Sequence, residues 1–377
     1  MSSIIFYFFE KFCWLTHPPP PWYANPILQG GETMELNALP GAILPWYREN
    51  KRALPWRETQ DPYRIWVSEI MLQQTRVEAV KGYYARFLEA LPDIESLARC
   101  DDERLHKLWE GLGYYSRVRN LKKAAGVILE QHGGVFPADY DAVRALPGIG
   151  DYTAGAVCSI AFSLPTPAVD GNVLRVLSRL RCDAEPIDLP AVKKRVSREL
   201  AEIYPTDCPG EFTQALMELG ATVCVPNGEP KCAVCPCKGF CEGQTKWQEL
   251  PVKLPKRAKK QEDRTVFVLR CGGRYAIEKR PARGLLAGLW QFPNESSHFS
   301  AEEAIQWAEN RGLHPRNVEK SIDRHHIFTH IRWDMRGWYL EVDEMAGDYT
   351  WLTLEEIDGQ AALPTAFRQF REEISHV

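Results

Sequence analysis

A chain of 377 residues exceeds one ordinary domain and suits two, each large enough to bury its own core. At 45% hydrophobic and 25% charged it has a globular composition, and a formal net charge of -4 excludes a surface coated in positive charge. Any contact with nucleic acid must therefore be local, and no apolar stretch is long enough to cross a bilayer.

Residues 1–33 show neither helical nor strand periodicity; they carry prolines from Pro18 to Pro21 and end in Gly30-Gly31. The apolar run Ile4 to Phe9 is cut short by Glu10 and Lys11 and lacks a basic n-region and a small-residue cleavage site, so a signal peptide is not expected. The expectation is a non-homologous, disordered or untranslated extension, with Met34 as the natural start. From 34 to 250 the apolar residues recur at three- and four-residue steps, as in Leu105, Leu108, Trp109 and Leu112, which predicts a helical domain.

Within that domain the block Asp61 to Thr75 places Glu69 among Trp66, Val67, Ile70, Met71 and Leu72. A carboxyl so surrounded is desolvated, its pKa rises, and it can hold a proton near neutral pH. The alternative is an exposed Glu on a polar helix face, and periodicity does not choose between the two. Further on, Leu146-Pro147-Gly148-Ile149-Gly150 precedes a helix of small residues. Gly148 and Gly150 in a tight turn expose backbone N–H groups, a geometry that holds a phosphate without reading sequence. Asp170, at the start of the predicted helix Val173 to Arg181, faces free N–H groups and the positive dipole end, which favours its ionised form; a plain N-cap is the simpler reading. Two carboxyls pushed in opposite directions suit glycosidic-bond hydrolysis, one as acid and one as the anion beside a cationic sugar.

Five of the eleven cysteines fall between Cys224 and Cys241, a metal-site distribution in a reducing compartment. Cys224, Cys232, Cys235 and Cys241 form a tetra-Cys set for zinc or an iron–sulfur cluster, and Cys237 is the odd thiol. Arg175, Arg179 and Arg181 form one cationic cluster, and Lys253 to Lys260 another with five cations and no acid; each reads as a solvated face or a DNA surface. Residues 251–264 read as a basic linker. Beyond it the rhythm changes to strands at Thr265 to Leu269 and Arg274 to Ile277, a helix from Ala301 to Arg311 capped by Ser300, one or two strands over Ile327 to Val342, and a closing helix from Ala366 to Ile374. This predicts a second, α+β domain over 265–377.

These blocks, together with Leu54 to Arg57 and Gly111 to Arg117, resemble the helix-hairpin-helix DNA glycosylases with a cluster loop, and within them the adenine-removing MutY branch, over residues 40–377. The resemblance implies a monomer that flips adenine from double-stranded DNA where it lies opposite 8-oxoguanine or guanine, working in the cytoplasm at the bacterial nucleoid. It implies Glu69 as general acid, Asp170 as the carboxylate stabilising the oxocarbenium ion, and Tyr152 and Asn172 as orienting groups. Trp56, Arg57, Leu72 and Gln214 would line the adenine pocket, and Gln74 and Tyr114 would wedge into the base stack. The four cysteines would hold a [4Fe–4S] cluster, although the first gap is seven residues here and six in the family.

The C-terminal domain resembles a Nudix-like reader of 8-oxoguanine, with Phe328, Thr329 and His330 as its recognition loop; Thr329 replaces a serine but keeps the hydroxyl. The acidic run of pyrophosphate-cleaving Nudix enzymes is missing after Gly288 to Pro293, so the domain is expected to bind without hydrolysing. Tyr152 stands where endonuclease III enzymes place a Lys nucleophile, which implies base release without strand cleavage. The alternatives are an endonuclease III-like pyrimidine-lesion glycosylase and a non-catalytic lesion-binding cluster protein.

Overall fold

A computed structural model of the chain describes residues 36–255 and 258–376. The expectations for residues 1–33 and for Met34, and Lys256 and Arg257 of the cationic run, lie outside the described residues. The described residues form two compact units: one from those up to Ala53 with Ala138–Arg144 and Ile149–Leu254, the other from Leu54–Pro137, Ala145–Gly148 and those from Pro255 onward. The helical stretch is therefore divided between the units, and part of it belongs with the residues C-terminal to the linker.

The first unit is helical. Helices α1 (Leu39–Asn50), α8 (Asp151–Phe162), α9 (Gly171–Leu180), α10 (Pro190–Ile203) and α11 (Pro209–Thr222) contribute to it. Its core joins Leu39, Ile43 and Tyr47 of α1 with Val173 and Leu177 of α9 and with Phe212, Leu216 and Leu219 of α11. These are the i, i+3/i+4 positions that bury one stripe of each helix. Helix α8 is buried from Thr153 to Ile160. Its small residues let another strand of chain pass close: a Cβ on Gly155 would sit 2.0 Å from the Pro167 carbonyl oxygen.

The second unit combines helices with a sheet. Helices α2 (Pro62–Leu72), α3 (Val77–Ala90), α4 (Ile94–Arg99), α5 (Asp102–Leu108) and α6 (Ser116–Gln131) pack around aromatic anchors. Phe87 meets Trp109 edge-on at 5.9 Å, and Trp66 meets Phe136 at 5.5 Å. The sheet runs β3 (Trp290–Gln291), β2 (Arg274–Lys279), β1 (Lys260–Cys271), β6 (Ile331–Val342), β5 (Pro315–Ile327), with β4 (Asn294–Glu295) on β1 and β7 (Thr350–Leu352) on β2. β1 and β6 are parallel, in register from Lys260 opposite Ile331 to Arg270 opposite Glu341, and β5 returns antiparallel along β6.

Val266 to Leu269 are all buried because both sheet faces are covered. On one face Phe267 stacks on Trp307 of α12 (Ala301–Glu309), with ring centroids 3.6 Å apart. On the other, Val266 and Val268 meet Phe367 and Phe370 of α14 (Thr365–Glu372), beside α13 (Leu354–Gln360). α12 carries the expected Ser300 cap, which Glu303 completes as a capping box. β1 starts at Lys260, inside the stretch expected as linker, since its charged first residues pair along β6 rather than enter a core.

Candidate active site

In the second unit, α2 begins with Asp61 capping the Tyr63 N–H at 2.9 Å and with Pro62 at the first helical position, where its missing N–H costs nothing. Tyr63 and every residue from Ile65 to Met71 are buried, and Glu69 is 4% exposed, so water has little access to its carboxyl. Trp56, Arg57 and Leu72 belong to the same unit; Trp56 is buried and meets Tyr84 edge-on at 5.5 Å.

Beyond α2 the backbone turns left-handed at Gln74 (φ 59°), and across from it at Tyr114 (φ 47°). Left-handed backbone costs a residue with a Cβ about 1 kcal/mol and persists where the surroundings enforce it. The enforcing group is Arg117. One of its terminal nitrogens donates to the carbonyls of Ile70, Met71 and Gln73 at 2.6, 3.1 and 2.6 Å. The other donates to those of Leu112 and Gly113 at 3.0 and 3.2 Å. Burial lowers the Arg117 guanidinium to about 10, still charged at neutral pH. The two loops that carry Gln74 and Tyr114 are thus fastened to one side chain, which sequence reasoning passed over as part of a motif.

Tyr114 reaches the sheet. Its hydroxyl lies 3.3 Å from the Thr329 hydroxyl, and both line a cavity of about 470 Å³ with Phe328, His330, Arg119 and Leu286. Phe328 is wedged between the rings of His326 and Trp333, at 4.5 and 4.8 Å. The loop Phe328 to His330 is pinned at both ends: Phe328 N–H donates to Ile331 at 2.8 Å, and the His330 carbonyl accepts from Lys260 N–H at 2.9 Å. Gly148 also belongs to this unit; its φ is 77°, and a Cβ there would lie 2.5 Å from the Asn120 Cβ, so only glycine fits.

In the first unit, Asp170 caps α9. One carboxylate oxygen accepts from the N–H groups of Asn172 and Val173 at 2.9 and 2.8 Å, and the other from the Asn172 amide at 2.7 Å. The cap is there as the sequence suggests, yet the net effect on acidity is opposite: burial pushes the carboxyl up, outweighing these donors and the charge of Arg175. Helix-terminal position is legible in a sequence; depth of burial is not. Asn172 passes the contact on, since Arg175 donates to its side-chain oxygen at 2.9 Å and to the Gly220 carbonyl at 2.8 Å. Tyr152 directs its hydroxyl to the Met217 sulfur at 3.9 Å, and Gln214 accepts from the Tyr47 hydroxyl. Gly150 caps α8 in extended backbone, and Asp151 beside it pairs with Arg144.

Arg175 and Arg179 correct the expectation of a solvated or DNA-facing cluster: both are buried, at 6% and 5% exposed. Four residues apart, they share one face of α9 and point at the cysteine segment. Arg175 donates to the Cys224 carbonyl at 3.0 Å, and Arg179 to the Cys224 sulfur at 3.4 Å, Val225 at 2.9 Å and Leu250 at 2.9 Å. Cys224, Cys235 and Cys241 pack against the core. The Cys241 thiol is raised to about 11 by burial, and by the nearby thiols of Cys235, Cys224 and Cys232. Cys237 is buried, and its thiol donates to Cys235, which raises the first and lowers the second. Among the described residues no three Cys, His, Asp or Glu side chains converge tightly enough to hold a metal ion, and no disulfide links the cysteines.

Residues 67–205 match the HhH-GPD superfamily of base excision DNA repair proteins, and residues 265–373 match the NUDIX domain. The structure resembles that of a thermostable thymine-DNA glycosylase, with a TM-score of 0.51 and 28% identity over 56% of this chain and 97% of that one. A non-covalent endonuclease III–DNA complex shares the fold at a TM-score of 0.50 and 22% identity, covering 58% of this chain and 99% of that one. The HhH-GPD match, with a thymine-DNA glycosylase as a structural neighbour, places the chain in the class of DNA glycosylases of base excision repair. Adenine DNA glycosylases are similar over far more of its length: the human protein is 32% identical over 90% of this chain and 74% of its own. The Schizosaccharomyces pombe protein is 32% identical over 90% of each. The chain belongs to the adenine DNA glycosylase family.

Proposed function

We propose that this chain hydrolyses the N-glycosidic bond of adenine paired with 8-oxoguanine or guanine in duplex DNA, as a monomer, and leaves the sugar–phosphate strand intact. The observation that carries the reading is the buried carboxyl of Glu69, on a helix whose C-terminal end is locked by Arg117. With adenine flipped out, Glu69 protonates N7, the C1′–N9 bond breaks, and the electron pair leaves with the base. The sugar is left as an oxocarbenium ion, which the Asp170 carboxylate stabilises. Glu69, now a carboxylate, takes a proton from the water that adds at C1′. Asn172 and Tyr152 orient these groups, and Trp56, Arg57, Leu72 and Gln214 contact the base.

Gln74 and Tyr114 enter the stack on the opposite strand, and Phe328, Thr329 and His330 read the oxidised base there without pyrophosphatase activity. Gly148 and Gly150 offer backbone N–H groups to a DNA phosphate. Tyr152 supplies no amine for a Schiff base, so chain cleavage is not part of the reaction.

Cys224, Cys232, Cys235 and Cys241 would hold a [4Fe–4S] cluster on the chemistry of the donor set, although among the described residues their sulfurs are not drawn together. They are soft donors in one segment, near enough to influence one another's charge, and two buried arginines beside them balance added negative charge. Such a cluster would order the segment after α11, which Arg175 and Arg179 of α9 hold and from which the Arg175–Asn172–Asp170 contacts start. No helix of the described residues is long and apolar enough to cross a membrane; we place the enzyme in the bacterial cytoplasm at the nucleoid. Glu69→Gln tests the reading: it should bind a lesion duplex while losing base release, and a variant cutting at the parental rate would remove Glu69 from the mechanism.

A further inference from the structure

The Tyr114–Thr329 contact joins two parts of the second unit that are far apart in sequence, and something must hold them at that separation. Helix α5 and the turn after it do so through Glu103, Lys107 and Glu110. Glu103 and Lys107, spaced i, i+4, fall on one face of α5, and Glu110 lies in the turn that follows. Glu103 accepts from the Trp290 indole N–H at 2.8 Å and pairs with Lys279 of β2. Lys107 donates to the Ala361 carbonyl at 3.2 Å, while Glu110 accepts from the Leu363 N–H at 3.0 Å. Two side chains thus grip the 361–363 backbone as a neighbouring strand would, one taking its C=O and the other its N–H. Glu110 is also bound by Lys107 and Arg368, each at 2.8 Å, and its side chain is only 10% exposed.

What Glu110 grips adjoins the cavity on both sides. Gly111 follows it directly, and Pro364 and Thr365 follow Leu363; all three line the space where Tyr114 and Thr329 meet. A carboxylate with three donors and little exposure is a stiff junction, because releasing any of them leaves its charge with little water to replace the partner.

We propose that Glu110 is a specificity-determining positioning residue: by clamping Leu363 and Arg368 it fixes the spacing of Tyr114 and Thr329, and so sets the preference for adenine opposite 8-oxoguanine over adenine opposite guanine. It touches no reacting atom, and Asp170 takes its hydrogen bonds from Asn172 and Val173 instead. The proposal rests on the reading of this chain as an adenine glycosylase with a lesion-reading loop.

The test uses the intact, full-length protein. Single-turnover base release is measured for Glu110→Ala and Glu110→Gln on duplexes with adenine opposite 8-oxoguanine and opposite guanine. In Glu110→Ala the ratio of the two rates should fall about five- to tenfold, the loss lying on the 8-oxoguanine duplex, with the guanine duplex cut at the parental rate. Glu110→Gln keeps a carbonyl for the Leu363 N–H and should recover part of the ratio. Parental ratios in both variants would overturn the proposal, and so would an equal loss on both duplexes, which marks a general folding role. Should Glu110→Ala not fold, Glu110→Gln and Lys107→Met carry the same comparison. A parental enzyme with no adenine release, or with no preference to lose, would instead overturn the functional reading beneath it.

Discussion

Replacing Asp170 by Asn separates the charge of this carboxylate from its shape. The carbonyl oxygen of the new amide can still accept from the N–H groups of Asn172 and Val173, so the cap of α9 survives. On the other side the new NH2 faces the Asn172 NH2, 2.7 Å from where an oxygen stood, and Asn172 cannot turn over cheaply because Arg175 holds its oxygen. That mismatch costs about 1–3 kcal/mol and does not depend on pH. The charge contributes in the opposite sense. Burial raises the folded-state pKa of Asp170, so this group favours folding most when protonated, below the unfolded value of about 4. Its contribution is lost as pH rises through the folded-state pKa.

The neutral variant has no such loss. The melting temperature of Asp170→Asn relative to the parent should therefore climb between about pH 4 and neutrality, whatever its absolute offset. Single-turnover adenine release should meanwhile fall by about 10³, since the stabilising anion has gone. Thermal melts across that pH range, with base-release assays alongside, measure both. A difference in melting temperature that stays flat, or falls with rising pH, would refute the dominance of burial, and near-parental release would refute the role given to Asp170.

Glu69→Gln should retain affinity for a lesion duplex while its single-turnover rate drops by about 10³ or more, because acid and water activator are lost together; rapid-quench assays and gel shifts give the two numbers. Purified protein should be yellow-brown with about four irons per chain; Cys235→Ser should abolish both, Cys237→Ala neither, as iron analysis would report. Arg117→Ala, which strands five carbonyls, should lower stability by about 2–4 kcal/mol in denaturant melts and weaken lesion binding; an unchanged midpoint would show that the clamp holds nothing.

Much of the candidate site is legible in the sequence because its signals are local. Apolar spacing marks α2 as a helix with a buried face, although not on which side Glu69 falls; Asp170 before a predicted helix marks a cap; apolar runs around Gly272-Gly273 find β1 and β2 and alternation finds β6, whereas the half-exposed, charged β5 gives no such signal. What escapes is set by distant partners. Arg175 and Arg179 look like surface charge until α9 is seen to face Gly220 to Val225. Lys260 to Arg264 look like linker until they pair with β6. Tyr47 is an ordinary amphipathic position, and its partner Gln214 lies 167 residues away. Glu110 carries no local signal, since its acceptor role depends on a backbone N–H 253 residues later.

The central claim, adenine release without strand cleavage, is tested most directly by one assay: the intact enzyme on duplexes holding adenine opposite 8-oxoguanine, guanine or cytosine, analysed before and after alkali. Adenine should be released fastest opposite 8-oxoguanine, slower opposite guanine and least opposite cytosine, with strand breaks seen only after alkali. Intact adenine in all three duplexes, or breaks already present before alkali, would contradict it.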